Sequence, residues 1–291
     1  MSRGKRSRIV VIAALSAGLA APGASEATDL GTVDGISYVL TPSSGTPPAS
    51  ATGDAVCPNA TRPLGGGFWA GNVSFTSRVY NSYPADVMAP LGPQMQETYR
   101  STFWLPSGPT TQVESYGICS GAEVQYRLDR GDLPATPQAL KLTANCPASQ
   151  HVVGGGATAG QSGSIADAYV NSSYPIDDGD RNRTPDDGWR ARLYGASQLD
   201  AAAIAVCAET KPRYRRLVSA SNEITVIDCP ANRHVLGAGL KVHGDPSTAW
   251  MRSATLIDDV SDEPDTVPDD VVGFDETAES GRRVTAHAIC G

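Results

Sequence analysis

The chain has 291 residues, with 23 Lys+Arg against 31 Asp+Glu and only four histidines. A net charge of −8 repels phosphate backbones and anionic lipid, which argues against nucleic acid and against electrostatic membrane binding. Thirty glycines, 21 prolines and short apolar stretches argue against a helical body.

The N-terminus carries Arg3, Lys5, Arg6 and Arg8, then an apolar run from Ile9 to Ala20, then small residues ending at Ala27. That order, with Ser25 and Ala27 at −3 and −1, reads as a secretory signal over residues 1–27. The run is shorter than the roughly 20 residues a bilayer span needs. No second run approaches spanning length, so no membrane span is expected after signal removal. Removal takes four basic residues and one acidic residue, leaving 19 Lys+Arg, 30 Asp+Glu and a net charge of −11.

Beyond residue 27 the six cysteines organise the chain. Taken in order, Cys57 and Cys119, Cys146 and Cys207, and Cys229 and Cys290 are 62, 61 and 61 positions apart. Pro58, Pro147 and Pro230 follow the first member of each pair. A triplet of small residues stands at the same distance further on: Gly65-Gly66-Gly67, Gly154-Gly155-Gly156 and Gly237-Ala238-Gly239. Leu64, Val153 and Leu236 precede the triplets. Four features in register three times define an internal repeat, with units 28–120, 121–208 and 209–291.

Looser marks recur as well. Asn81–Asp86 answers Ser172–Asp177, both containing Ser-Tyr-Pro, and Trp104, Trp189 and Phe274 are matched as the large aromatic that follows. Each unit opens on a β-prone stretch (Ile36–Leu40, Val124–Leu128, Tyr214–Val218) and closes on a strand ending in Cys119, Cys207 or Cys290. Ala196–Ala208 could be helical on its alanines, but its register with the other closing runs makes it a strand. The fold class expected is all-β, three tandem antiparallel units with one disulfide each. Closure into a pseudo-threefold, β-prism-like ring and independent beads both remain open.

Six cysteines allow 15 pairings. If the units fold alike, pairing within the unit serves all three: Cys57–Cys119, Cys146–Cys207 and Cys229–Cys290. Zinc is disfavoured, since close Cys-x-x-Cys spacing is absent. Glycine triplet and closing strand are expected to pack together, the disulfide joining them near their ends. Glycine at both flanking positions of every triplet implies positive φ or a close backbone contact. Ala238 implies that the central position accepts a methyl, at least in one copy.

This pattern of Cys-Pro, Gly-Gly-Gly, a later Ser-x-Pro and Trp, and a closing Ala-x-Cys resembles a repeat of secreted proteins from filamentous, high-GC bacteria. The resemblance covers nearly all of residues 57–291 and implies export and a disulfide-closed β unit, without an active site. A fainter likeness, Cys-Pro followed by glycine in three units, is to the β-prism of the vitelline membrane outer layer protein. That family's Asp-Asp-Thr-x-Leu-Asn stretch is missing here and the units are longer.

Candidate chemistry is sparse. His151 and His234 share one repeat position with Arg62 and read as exposed turn residues, while His287 reads as a packing position opposite the cysteine face. His243 has no motif around it. A Ser/His/Asp site assembled across units has no local signature, and nucleophile elbows, His-Glu-x-x-His helices and phosphate loops are absent. The stretch Asp177–Asp187 resembles a calcium loop but puts Arg183 at its glycine and Trp189 at its glutamate, so it reads, like Asp258–Asp270, as a solvated turn. Tyr83 and Tyr174 could be lectin-like aromatic platforms or packed Tyr-Pro turns. The expectation is a secreted, non-enzymatic envelope or extracellular protein, with no cofactor and no metal, binding a glycan or protein of the cell envelope through its variable loops. A lectin-like carbohydrate binder is the alternative, and a secreted hydrolase the third reading.

Overall fold

The structure, a computed structural model, describes residues 28–58, 60–71, 77–86, 97–160, 168–177, 184–196, 200–220, 225–257, 271–277 and 283–291. The export signal expected in residues 1–27 lies outside them, as do residues 178–183 and 258–270 of the two acidic loops. Apart from a single 3-10 turn at Pro246–Thr248, the regular structure of the described residues is β-strand.

The first copy contributes β1 (Thr28–Val33), β2 (Ile36–Gly45), β3 (Ala49–Val56), β4 (Arg62–Ala70), β5 (Arg78–Ala85), β6 (Thr98–Leu105) and β7 (Thr111–Ser120). The second contributes β8 (Gln125–Asp132), β9 (Gln138–Asn145), β10 (His151–Thr158), β11 (Ala168–Ile176), β12 (Gly188–Gly195) and β13 (Asp200–Ala208). The third contributes β14 (Arg213–Ala220), β15 (Thr225–Asp228), β16 (Val235–Val242), β17 (Trp250–Ile257), β18 (Val271–Thr277) and β19 (Arg283–Cys290). The alanine-rich run of β13 would favour helix on intrinsic propensity. Pairing with β10 on one side and β8 on the other makes it a buried strand instead.

Three antiparallel sheets result, and each is built from two copies. Sheet 1 runs β1-β2-β7-β4-β17-β18-β15, sheet 2 runs β3-β6-β5-β10-β13-β8, and sheet 3 runs β14-β19-β16-β11-β12-β9. In every copy the opening, closing and glycine strands form half of one sheet, and the other three strands cross to half of another. The exchange is cyclic, so the copies are not independent beads. Strands of all three enclose one apolar core, from Tyr38 and Phe68 through Val152 and Trp189 to Leu240 and Phe274.

Cys57–Cys119, Cys146–Cys207 and Cys229–Cys290 are bonded, with Cα separations of 5.6, 5.6 and 5.7 Å. The expected position of these bridges needs correction. Each first cysteine lies beyond the end of β3, β9 or β15 and not on the glycine strand, so each bridge ties two different sheets. The glycine strands do pair with the closing strands, β4 with β7, β10 with β13 and β16 with β19.

The triplets sit where backbones meet. A Cβ on Gly154 would meet the Leu64 carbonyl, one on Gly65 the Leu236 carbonyl at 2.7 Å, and one on Gly237 the Val153 carbonyl at 2.9 Å. These contacts run from each copy to another and close a cycle. The third glycines meet neighbouring strands: Gly67 at Ala254, Gly156 at Ser82 and Tyr83, Gly239 at Ser173 and Tyr174. Close approach, and not positive φ, is therefore why both flanking positions are glycine.

The central position is not permissive in the first two copies, so the tolerance that Ala238 shows in the third does not extend to them. A Cβ on Gly155 would lie 2.5 Å from the Trp189 ring, and one on Gly66 2.5 Å from the Tyr99 ring, each also overlapping a backbone carbonyl. The strand register explains the exception. Trp189 pairs with Pro175 and Tyr99 with Pro84, and at the corresponding point Val272 pairs with Leu256. The smaller valine leaves space for the Ala238 methyl. The aromatic matching is corrected too: Tyr99, not Trp104, answers Trp189, and Phe274 pairs with Ala254 two register positions away.

Candidate functional site

The histidine expectations divide. His287 is buried on β19 and stacks on the Tyr174 ring, centroids 5.9 Å apart, so it occupies a packing position. His234 is buried, not exposed, with Nε2 3.3 Å from the Asp34 carboxylate of the first copy. His151 is half-buried with Nδ1 3.1 Å from Asp186, and Asp186 is itself buried, so the end of the acidic stretch Asp177–Asp187 is no solvated turn. His151 and Asp186 have the geometry of a base and its orienting acid. No serine hydroxyl is hydrogen-bonded to His151 among the described residues. Tyr83 is buried with Ala85, Ala202 and Ile204, which makes it a packed residue and not a platform.

The described residues concentrate charge at one place. On the face of sheet 3 turned away from Trp189, a cleft of about 820 Å³ is lined by Tyr174, Arg190, Arg216, Lys241, His243 and His287 among others. Directly opposed residues share a face. Tyr174 opposes Arg190, Lys241 opposes Thr285, and His287 is opposed by Gly239 on one side and Arg216 on the other. The Lys241 ammonium lies 5.5 Å from the centroid of the Tyr174 ring. The His243 Nε2 is 2.9 Å from the Thr285 hydroxyl.

The same five register positions can be read in the other sheets. In sheet 2 they hold Tyr83, Arg100, Thr158, Ile204 and Leu128. In sheet 1 they hold Thr255, Gly273, Trp69, Tyr116 and Leu40. Arg100 is the only cation in these two sets, and Asp54 neutralises it through bonds of 2.6 and 2.8 Å from Nε and Nη2. The residue opposing Arg190 where Asp54 opposes Arg100 is Thr143, whose hydroxyl accepts from Nε at 3.1 Å. Sheet 3 alone carries three cations at these positions, with Thr143 where sheet 2 has Asp54.

The electrostatics follow. Burial first, then Arg192, Arg216, Arg190 and Arg283, hold the Lys241 ammonium below its ordinary pKa. Burial and then Lys241, Arg283, Arg192 and Arg216 push His243 down. Burial, Arg216, Lys241 and His243 push His287 down to about 3, so its ring is neutral near pH 7. Among the described residues Arg216 and Lys241 form no ion pair, and Asp177 is the one carboxylate lining the cleft. Fixed cations that depress one another are stabilised by an incoming anion, and arginine forks bind oxyanions in bidentate fashion.

Sequence reasoning missed this site. Arg190, Arg216 and Lys241 lie on three different strands with no shared motif, and the net negative charge pointed away from a cationic surface. The repeat held a usable signal, since aligning copies by strand register exposes Thr143 in place of Asp54. No described helix is long and apolar enough to cross a membrane, and no described His/Cys/Asp/Glu group has metal-binding geometry. No family model matches the chain, and no curated protein matches it in sequence, so the cleft is read from its own geometry.

Proposed function

We propose that this is a secreted, non-enzymatic binding protein that takes an anionic ligand into the cleft on the outer face of sheet 3. The observation that carries this reading is the gathering of Arg190, Arg216 and Lys241 on one of three quasi-equivalent faces, where Arg216 and Lys241 form no ion pair among the described residues. The three disulfides support an oxidising, extracellular setting. A scaffold kept in three copies with one face altered fits recognition better than catalysis, for which the cleft supplies cations and a neutral histidine but no activated nucleophile among the described residues. The ligand site moves from the variable loops of the sequence expectation to a sheet face.

An array of acidic and neutral glycans and acidic peptides, probed with the exported protein, tests this. Binding to at least one acidic member is expected. It should be lost in Arg216→Ala/Lys241→Ala and kept in Arg127→Ala/Arg130→Ala, which removes the same charge from β8. Equal loss in both double variants would mean that only overall charge matters, and the cleft would be the wrong site.

A further inference from the structure

The opening strands β2, β8 and β14 occupy the same place in their sheets, outside the closing strands β7, β13 and β19. Their fates differ. β2 accepts a second neighbour, β1, the seventh strand of its sheet, in an antiparallel ladder from Thr28↔Leu40 to Val33↔Ile36. Thus covered, β2 is buried over Ile36–Val39. Among the described residues β8 and β14 pair on one side only.

β14 departs from β8 in the way a docking edge would. Its sequence Arg-Tyr-Arg-Arg-Leu-Val-Ser-Ala holds three exposed arginines and no acid, whereas β8 balances Arg127 and Arg130 with Asp129 and Asp132. Leu217 and Val218 are 44 % and 43 % exposed, two of the three large apolar residues so exposed among those described. As strand neighbours they point to opposite faces, so this part of β14 is open on both sides as well as along its edge. Basic residues alone are an ordinary protection of a sheet edge. An adjacent exposed Leu-Val pair is not, because it offers apolar contact to an added strand.

We propose that β14 is a docking edge for an extended acidic segment of a protein partner, which adds to sheet 3 as β1 adds to sheet 1. Main-chain hydrogen bonds to the open edge supply affinity, and alternate side chains supply specificity. Acidic residues of the segment meet Arg213, Arg215 and Arg216, and its apolar residues cover Leu217 and Val218. Pairing of β14 with β14 of a second copy is disfavoured, since it would bring the two arginine sets together. This proposal does not depend on occupation of the Lys241 cleft.

The test uses the whole protein and three short synthetic peptides. One alternates glutamate with valine and threonine, one replaces each glutamate with lysine, and one is the acidic sequence N-methylated on its backbone. The expected result is that only the first binds, and that it slows hydrogen exchange at amides of Arg213–Ala220 that do not bond β19. Arg215→Glu should weaken it on the order of tenfold or more. Equal binding of the lysine peptide, binding of the N-methylated peptide, or binding without protection of β14 amides would each overturn the proposal. Concentration-dependent self-association that protects β14 in the absence of peptide would overturn it too. Cleft binding is scored separately through Lys241→Ala, so failure of one leaves the other standing.

Discussion

Single side chains in this molecule are constrained by what crosses over them. Gly155 and Gly156 lie on opposite faces of β10, one under the Trp189 ring and the other against the Ser82–Tyr83 backbone. Gly155→Ala and Gly156→Val should therefore both cost more than about 2 kcal/mol, since neither backbone carbonyls nor a packed indole can yield cheaply. The third copy suggests the remedy: Trp189→Val combined with Gly155→Ala should be less destabilising than the two changes summed, by about 1 kcal/mol or more. Denaturant titration of the four proteins with disulfides intact closes that cycle, and additive costs would remove the Val272 explanation of Ala238. His287 gives a pH signature. Its folded pKa lies near 3 against an ordinary 6.5, so between those values the unfolded chain holds the extra proton. Its contribution is complete above about pH 6.5 and is lost as pH falls toward 3. His287→Ile, which installs the residue of the second copy, should flatten the fall of the urea midpoint across that window, with Arg216, Lys241 and His243 left in place.

At the level of elements, the opening strands do more than extend a sheet. The Tyr38, Tyr126 and Tyr214 hydroxyls donate to the carbonyls of Val235, Pro63 and Val152 at 2.9, 2.9 and 2.7 Å. Each acceptor precedes a register shift at Leu236, Leu64 or Val153, so the tyrosine satisfies a carbonyl at a bulge. Each bond also joins two copies, first to third, second to first and third to second. Burial raises the pKa of Tyr126 and Tyr214, which keeps both hydroxyls as donors. Tyr126→Phe leaves one buried acceptor unpaired and should cost about 1–3 kcal/mol, read from the chemical-denaturation midpoint. The disulfides act between sheets in the same way. Removing the Cys146–Cys207 bridge by double alanine substitution should cost about 2–5 kcal/mol.

For the whole molecule, the cyclic exchange of half-sheets has a direct consequence. Residues 121–208 contribute to two sheets and complete neither, so this segment alone exposes the β10 edge that β5 covers and the β11 edge that β16 covers. The isolated segment should be unfolded by circular dichroism even with its disulfide formed. The intact protein should melt in one transition whose calorimetric and van't Hoff enthalpies agree. Two or three separate transitions would show that the copies fold as beads. Register-equivalent residues of three kinds, Arg78, Tyr169 and Trp250, bring the three copies into contact. The Arg78 guanidinium lies 4.7 Å from the Tyr169 centroid and 5.0 Å from that of Trp250. The rings meet edge to face, and the Trp250 indole donates to the Ser77 carbonyl at 2.9 Å.

By itself, the sequence determined the architecture at the scale of one copy. Cysteine spacing, Cys-Pro steps and glycine triplets recur in register, and a feature held three times identifies the pairing of glycine strand with closing strand, the disulfide partners and the need for glycine at flanking positions. These are constraints the chain satisfies within one unit, or at a contact every unit repeats. Tertiary structure decided what lies between units: the exchange of half-sheets, bridges that span two sheets, and the burial of His234 against Asp34. It decided the cleft as well. Arg190, Arg216 and Lys241 are distant in sequence and belong to two copies, and only the pairing of β16 with β11 and of β14 with β19 places them on one face. Charge summed along a chain loses position, and a net acidic sequence can therefore carry a cationic face wherever pairing gathers its few bases and leaves their acids elsewhere.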